Sequence, residues 1–404
     1  MLDLRELGNR CHIVHDGASA LVVDPPRHLG EVERATEEAG VEITAVADTH
    51  IHNDYVSGAL PLARRHGADY LLSADEHVRF ERTGVRKGAT DRASGRSPDV
   101  LFSGGSLLHG TVGRTDLVDP LFTGELARAQ WGSAQTLAGL DPATRLHPTH
   151  GFGSFCAGGA AAAWAGSDIG DEAATNPALR QDREVFVEAL VAGFGPVPSY
   201  YRQMAPLNRS GAGARRTRPA LSLTRDQVTD ALADDAWVID LRSRSAFARG
   251  HLPGTVSVEY AEVFATYVGW LLPWHDPLVL LTDYLPDLAP ALRDLAAIGR
   301  DGVGTHVLDA PLPRTATYRR TGWNAFRSAA PGRVLVDVRQ RDEFDAAHLP
   351  GAVNIPVQDV ADRAGEIPPG EVWSTAGRGT GPGSRPASCT APVATWSTST
   401  TTGS

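Results

Sequence analysis

The stretch Thr-His-Ile-His-Asn-Asp-Tyr, residues 49–55, sets His50, His52 and Asp54 at alternate positions directly after an apolar run. Imidazole nitrogens and carboxylate oxygens are the donors that hold zinc or iron, and alternation along an extended chain would put all three on one face. A histidine at the next position would enlarge the set, but that position is Tyr55. His147 and His150, in a His-Pro-Thr-His-Gly run, offer two further imidazoles. The competing reading makes these residues loop-bracing hydrogen-bond groups, with Asp54 capping the helix that follows and the later histidines as polar turn residues. Cys156 sits in a Gly-rich loop beyond them, and a lone cysteine is by type more often a small buried hydrophobe than a nucleophile.

The elements that must position these groups follow from the pattern. CHIVHDGASALVVDP predicts two strands joined by an Asp-Gly turn, and HLGEVERATEEAGV predicts a helix that stops at Gly40. EITAVADTHIH predicts a buried strand running into the histidines, followed by a helix in GALPLARRHGA and a strand in DYLLSADE. Strands alternating with helices, with ligand-type residues at strand ends, are the logic of an α/β fold. Residues 206–221 are rich in Gly, Arg and Pro and read as a linker. Beyond them the chain repeats itself. WVIDLRSRSAFARGHLPGTVSV (237–258) and VLVDVRQRDEFDAAHLPGAVNI (334–355) share a strand, Asp-x-Arg, a short helix with a phenylalanine, His-Leu-Pro-Gly and a second strand. Such a repeat implies two copies of one domain. In it, Asp240 with Arg242 and Asp337 with Arg339 are expected to brace loops.

Residues 374–404 are nearly all Ser, Thr, Gly, Pro and Ala, a composition that cannot bury a core. The break falls inside the repeat. Loss of one base after Trp373 would let GC-rich codons spell a strand, a His-Cys-x-x-Gly-Tyr-Arg loop and a helix, so a frameshifted tail is the expectation that resequencing would check. The 404 residues are 42% hydrophobic and 21% charged, a globular composition for two or three domains. A net charge of −10 argues against nucleic acid as a partner. No apolar run reaches the roughly 20 residues that span a bilayer, so no membrane partner and a cytoplasmic location are expected. Cys11, Cys156 and Cys389 are too few for a disulfide framework, and homo-oligomerisation is left open.

Three motifs in order, THIHNDYVSG, FSGGSLLHGTVGRTDL (102–117) and HPTHGFGSF (147–155), resemble those of metallo-β-lactamase-fold proteins. The run Gly113, Arg114, Thr115, Asp116 is similar to the persulfide dioxygenase branch, with glyoxalase II a more distant relative. The Asp-x-Arg and His-Leu-Pro-Gly repeats resemble rhodanese (sulfurtransferase) domains. The resemblance spans about residues 1–373. It implies an α/β chain: a shortened metallo-β-lactamase αββα sandwich at 1–205, the linker, a rhodanese-like domain at 222–312, a truncated one at 328–373, and the tail.

The resemblance also implies sulfur metabolism. In that branch glutathione persulfide is oxidised at an Fe(II) held by two histidines and an aspartate, with positions open for O₂. His50 matches the first iron histidine. The second belongs to a Thr-Pro-Gly-His-Thr segment that has no counterpart here, and Gly105 stands where the aspartate would be. His52, Asp54 and His150 match the binuclear positions of the wider fold. The implied metal set is therefore His50, His52, Asp54 and His150, for Fe(II) or Zn²⁺, incomplete against the family, and no catalytic residue is assigned. Arg114 and Asp116 are expected to form a loop brace. The rhodanese cysteine is replaced by Thr282 and Asp283 in the first copy, whose carboxylate repels an anionic sulfur donor. It is absent from the loop after Trp373 in the second, and Cys389 has no helix to lower its pKa. These departures imply a persulfide dioxygenase-like chain of impaired activity. The alternatives are a non-catalytic sulfur-responsive scaffold and a glyoxalase II-like thioester hydrolase, the latter weakened by Gly105 at the bridging-carboxylate position.

Overall fold

The computed structural model describes residues 1–4, 6–86, 99–151, 154–159, 166–212, 218–274, 276–308, 316–320, 333–370 and 372–375. Expectations for the tail beyond Thr375, for Cys389, and for residues 87–98 and 213–217 lie outside these. The chain divides into two units, Met1–Arg218 with Arg293–Asp301, and Pro219–Leu292 with Gly302–Ser404. No helix among the described residues is long and apolar enough to cross a membrane.

In the first unit, β1 (Leu2–Leu4), β2 (Asn9–His15), β3 (Ser19–Val23), β4 (Glu42–Ala47), β5 (Asp69–Ser73) and β6 (Thr83–Val85) form one sheet in sequence order. The first three strands are antiparallel and β3 to β6 run parallel. The β2–β3 turn is held by Asp16, whose carboxylate accepts from the amides of Ala18 and Ser19 at 2.9 and 2.8 Å. Helices α1 (Gly30–Ala39) and α2 (Ala59–His66) end at Gly40 and Gly67 in the left-handed conformation that glycine adopts at little cost. Val22, Val32, Ile43, Val46, Leu62 and Leu72 bury their side chains between helices and sheet.

A second sheet orders β7 (Val100–Gly104), β8 (Arg145–Pro148) and β9 (Ser167–Asp168). With it go α3 (Thr123–Leu137), α4 (Ile169–Thr175), α5 (Pro177–Arg180) and α6 (Arg183–Ala192), over a core of Leu107, Leu146, Ile169, Phe186 and Leu190. The end of β8 is tied back to β2: Asn9 bridges His150, Arg10 N donates to Thr149 O at 2.8 Å, and Gly151 N donates to Gly8 O at 2.8 Å. Helix α7 (Tyr201–Ser210) corrects the linker assignment, which began at Pro206. Tyr201, Met204 and Asn208 are buried at helical spacing, and Gly211 (φ 75) ends the helix. Asn208 then holds the histidine loop: its Nδ2 donates to His52 O and Tyr55 O at 2.9 Å, and its Oδ1 accepts from Ser57 N.

In the second unit, β10 (Leu221–Ser222), α8 (Arg225–Ala233), β11 (Trp237–Asp240), α9 (Arg244–Arg249), β12 (Val256–Ser257), α10 (Phe264–Leu271), β13 (Leu278–Thr282), the first half of α11 (Leu288–Ala297) and β14 (Gly304–Val307) follow in sequence. The strands form an all-parallel sheet, ordered β10-β14-β13-β11-β12. Every residue of β13 (Leu-Val-Leu-Leu-Thr) is buried, as a central parallel strand requires. The second copy contributes β15 (Val334–Asp337), α12 (Arg341–Ala346), β16 (Val353–Asn354) and β17 (Val372–Thr375), with strand order β16-β15-β17. Ser374 and Thr375 pair with Val336 and Asp337, so these two residues, assigned to the tail by composition, extend a strand. The repeat is repeated in its bonds. Arg242 grips Asp240 through Nε (2.9 Å) and Nη2 (2.6 Å) and donates to Gly250 O. Arg339 grips Asp337 at 3.0 and 2.6 Å and donates to Ala347 O. Phe247 stacks on His251, and Phe344 on His348, each at 3.8 Å. Both pairs brace loops as expected.

Candidate metal centre

Strand β4 ends at Ala47, so His50, His52 and Asp54 stand on a loop and alternation does not give them a common face. What arranges them is a set of buried hydrogen bonds whose donors and acceptors can be followed one by one. Asp24, just after β3, has φ 53, a left-handed conformation that costs a non-glycine residue of order 1–3 kcal/mol. Its carboxylate accepts from Thr49 N (2.7 Å), from Thr49 Oγ1 (2.9 Å) and from the Thr149 hydroxyl, and lies 3.3 Å from His52 Nε2. The single hydroxyl proton of Thr49 is thereby used. The 2.9 Å contact between Thr49 Oγ1 and His50 Nδ1 is then donated by the imidazole, which leaves His50 Nε2 a bare lone pair.

Asn9 repeats the logic on the other side. Its Nδ2 donates to Asp54 Oδ2 at 2.6 Å, so its Oδ1 accepts from His150 Nδ1 at 2.8 Å, and His150 Nε2 is also bare. The two bare nitrogens face each other across 3.3 Å. His52 Nε2 lies among Tyr55 OH (3.0 Å), Asp24 (3.3 Å) and Asp48 (3.5 Å), while its Nδ1 has no partner. Asp54 Oδ1 has none either. Facing lone pairs repel unless a cation lies between them. An edge of 3.3 Å suits two imidazoles that each sit about 2.0–2.1 Å from one tetrahedral ion. The donors present fit a divalent metal.

The electrostatics set His52 apart from the other two histidines. Burial alone would lower the His52 pKa, but the charges of Asp24 and Asp48 and their hydrogen bonds push it up to about 10. Burial and the charge on His52 push His50 and His150 down to about 3, so both are neutral ligand-type imidazoles. Asp24 is held below the usual carboxylate range by His52 in spite of its burial. Asp48 is satisfied differently: Ser57 Oγ donates to both its oxygens at 2.9 and 2.8 Å, and Tyr70 OH donates at 2.6 Å.

The structure thus brings His50, His52, Asp54 and His150 together. Tyr55, at the departure from the motif, is fully buried against His52. Asp54 does not cap α2: the N-cap is Gly58, and Ser57 Oγ accepts from Ala59 N at 3.0 Å. His147 lies in β8 against His12 and Phe102. Arg114 and Asp116 form the expected brace, bidentate at 2.7 and 2.6 Å, with the guanidinium over Phe194 and bonded to Gly195 O. In the first repeat copy Thr282 Oγ1 accepts from Tyr284 N at 3.0 Å. Asn9, Asp24, Asp48, Thr49, Thr149 and Asn208 were not singled out by sequence. Only Asp24, in Val-Val-Asp-Pro at a strand end, carries a readable signal. Cys156 joins the site: ligand atoms of Asp54, His150 and Cys156 lie within 4.8 Å of one another.

Residues 323–378 match the rhodanese-like domain family. The chain is 28% identical over 242 residues to a hydroxyacylglutathione hydrolase of Cereibacter sphaeroides, covering 45% of this chain and 92% of that one. It is 32% identical over 90 residues to the HTH-type transcriptional regulator Rv0324 of Mycobacterium tuberculosis, spanning only 32% of that protein's length and 22% of this chain. A solved metallo-β-lactamase from Staphylococcus aureus is similar in fold, with a TM-score of 0.66 at 23% identity over 75% of this chain and 96% of that one. The protein combines a metallo-β-lactamase fold with a rhodanese-like domain near its C-terminus.

Proposed function

We propose that this chain is a sulfur-metabolism protein whose first unit holds a divalent zinc or iron ion through His50, His52, Asp54 and His150. Its substrate is a glutathione-linked sulfur, with glutathione persulfide favoured by the sequence motifs. The observation that carries this reading is the pair of bare nitrogens on His50 and His150, 3.3 Å apart, beside the partnerless His52 Nδ1 and Asp54 Oδ1. When bound, the ion supplies a Lewis acid for the sulfur substrate. The chain's own work is orientation. Thr49 fixes the His50 tautomer, Asn9 fixes His150 and one oxygen of Asp54, and Asp24, Asp48 and Tyr55 fix His52. Such outer partners typically contribute a 10–100-fold effect on metal affinity. The first rhodanese-like copy retains its Asp240–Arg242 brace but has Thr282–Asp283 in place of a thiol, so it is not suited to carrying sulfane sulfur.

A second reading, hydrolysis of a hydroxyacyl-glutathione thioester, is favoured by the Cereibacter sphaeroides relative and weakened by Gly105 at the bridging-carboxylate position. Metal analysis of the anaerobically purified full chain comes first, and about one ion per chain is expected. Oxygen uptake with glutathione persulfide, lost in His50→Ala, supports the first reading. Thioester cleavage without oxygen uptake moves the assignment to the second. A chain that retains no metal overturns both. Thiocyanate formation from thiosulfate and cyanide is expected to be absent.

A further inference from the structure

Cys156 reaches the candidate centre on a tightly fixed turn. Its amide donates to Ser154 Oγ at 3.2 Å, its carbonyl accepts from Arg114 N at 2.9 Å, and the following residues are tied to Gly113 and Val112. The Cys156 backbone is therefore held on both sides. Asp54, His150 and Cys156 present ligand atoms within 4.8 Å of one another, all buried. Asp54 is only 1% exposed; Asn9 holds one of its oxygens, and its carboxylate lies against the Cys156 thiol, which burial and the Asp54 charge push up, while no other donor reaches Oδ1. A buried carboxylate oxygen left open beside a thiol and an imidazole is costly without a ligand and well placed with one. Carboxylate, imidazole and thiolate together are a donor set that zinc proteins use.

We infer that Cys156 is itself a ligand of the metal centre, its sulfur joining Asp54 and His150 on the ion. The inference rests on the metal-binding reading above. On binding, the Sγ–H bond breaks, the sulfur–metal bond forms and one proton leaves to solvent. The thiolate supplies one of the donors missing at Gly105 and at the absent histidine segment. It also turns the site toward zinc and iron and away from hard ions such as magnesium and manganese.

Cobalt(II) loaded into the metal-free full chain is the probe. A thiolate ligand gives a sulfur-to-cobalt charge-transfer band in the near ultraviolet, expected in the wild type and in Cys11→Ala and lost in Cys156→Ser and Cys156→Ala. Zinc affinity should fall in both Cys156 variants by more than the 10–100-fold typical of an outer-sphere partner. X-ray absorption at the zinc edge of the wild-type chain needs no variant and should show one sulfur at about 2.3 Å. Stoichiometric cobalt without the band, or zinc with only nitrogen and oxygen neighbours, overturns this inference and leaves the metal reading standing. No binding of either ion overturns both. A band in a chain that turns over neither persulfide nor thioester upholds the inference while the functional reading fails.

Discussion

Two buried clusters in the first unit each combine histidine with carboxylate, and they differ in what the carboxylates already have. Around His52, Asp24 and Asp48 accept bonds from Thr49, Thr149, Ser57 and Tyr70 and face the imidazole as well. Around His150, Asp54 accepts from Asn9 on one oxygen, and only the Cys156 thiol lies against the rest of its carboxylate. Burial is equally deep in both. The carboxylates are therefore a support in one place and less fully satisfied in the other, and the difference lies in hydroxyl donors contributed by neighbouring strands and loops. A satisfied buried carboxylate anchors; an unsatisfied one waits for a cation.

The largest effect that would break this contrast is on stability. Asp24→Ala strips His52 and both threonines of their common acceptor and leaves an uncompensated buried charge, an expected loss of about 3–5 kcal/mol. Urea unfolding of the metal-free chain at neutral pH measures it; a loss under about 1 kcal/mol would remove the supporting role. Asp54→Asn should behave the other way. Metal-free stability should change by only about 1 kcal/mol, the size of one hydrogen bond. Zinc affinity by calorimetry should fall roughly a hundredfold or more. Equal destabilisation by the two variants would erase the distinction.

Much of this arrangement was legible in the sequence, and the part that was not has a physical reason. The Asp16 turn, the helix ending at Gly40 and the duplicated Asp-x-Arg braces are local, set by residues within a few positions of each other. The histidines lie near one another, but the alternation that grouped them belongs to a strand, and the strand stops at Ala47. Their orientation comes from Asn9, Asp24 and Asn208, which lie far away along the chain and acquire meaning only once β2, β3 and α7 have packed. Pro206 and the arginines after it disguised α7 as a linker, because composition outweighed the spacing of Tyr201, Met204 and Asn208.

Acid offers a third comparison, through a histidine that takes no part in either cluster. His12 is buried beneath β8, its Nε2 3.3 Å from Pro148 O, and burial pushes its pKa down to about 4 against 6.5 when unfolded. The unfolded chain therefore binds this proton first. The stability contributed is intact above about pH 6.5 and is lost as pH falls toward 4. His12→Phe keeps a ring beside Phe102 and should make the acid limb shallower by one proton across that window. An unchanged limb would mean that His12 is not held neutral beneath the strand that leads to His150.

The smallest effect expected tests whether the open cluster lacks a carboxylate in the place the family motif suggests. A Cβ at Gly105 would meet His150 Cδ2 at 3.8 Å and Gly113 Cα at 3.9 Å, ordinary contact distances, and the residue is outside the left-handed region. Its neighbour is the natural control. Gly104 has φ 57, and a Cβ there would lie 2.8 Å from Thr49 Oγ1, the group that fixes the His50 tautomer. Gly105→Asp should thus be tolerated and tighten zinc by about tenfold, since metal affinity rises with ligand charge at a site of given rigidity. Gly104→Ala should destabilise the chain by about 1 kcal/mol or more, because it strains the backbone and displaces Thr49 together. Tighter zinc in the first and lost stability in the second would locate the gap in the ligand set at Gly105. If Gly105→Asp leaves zinc affinity unchanged in a folded chain, the centre already has its ligands, and Cys156 rather than a vanished carboxylate completes it.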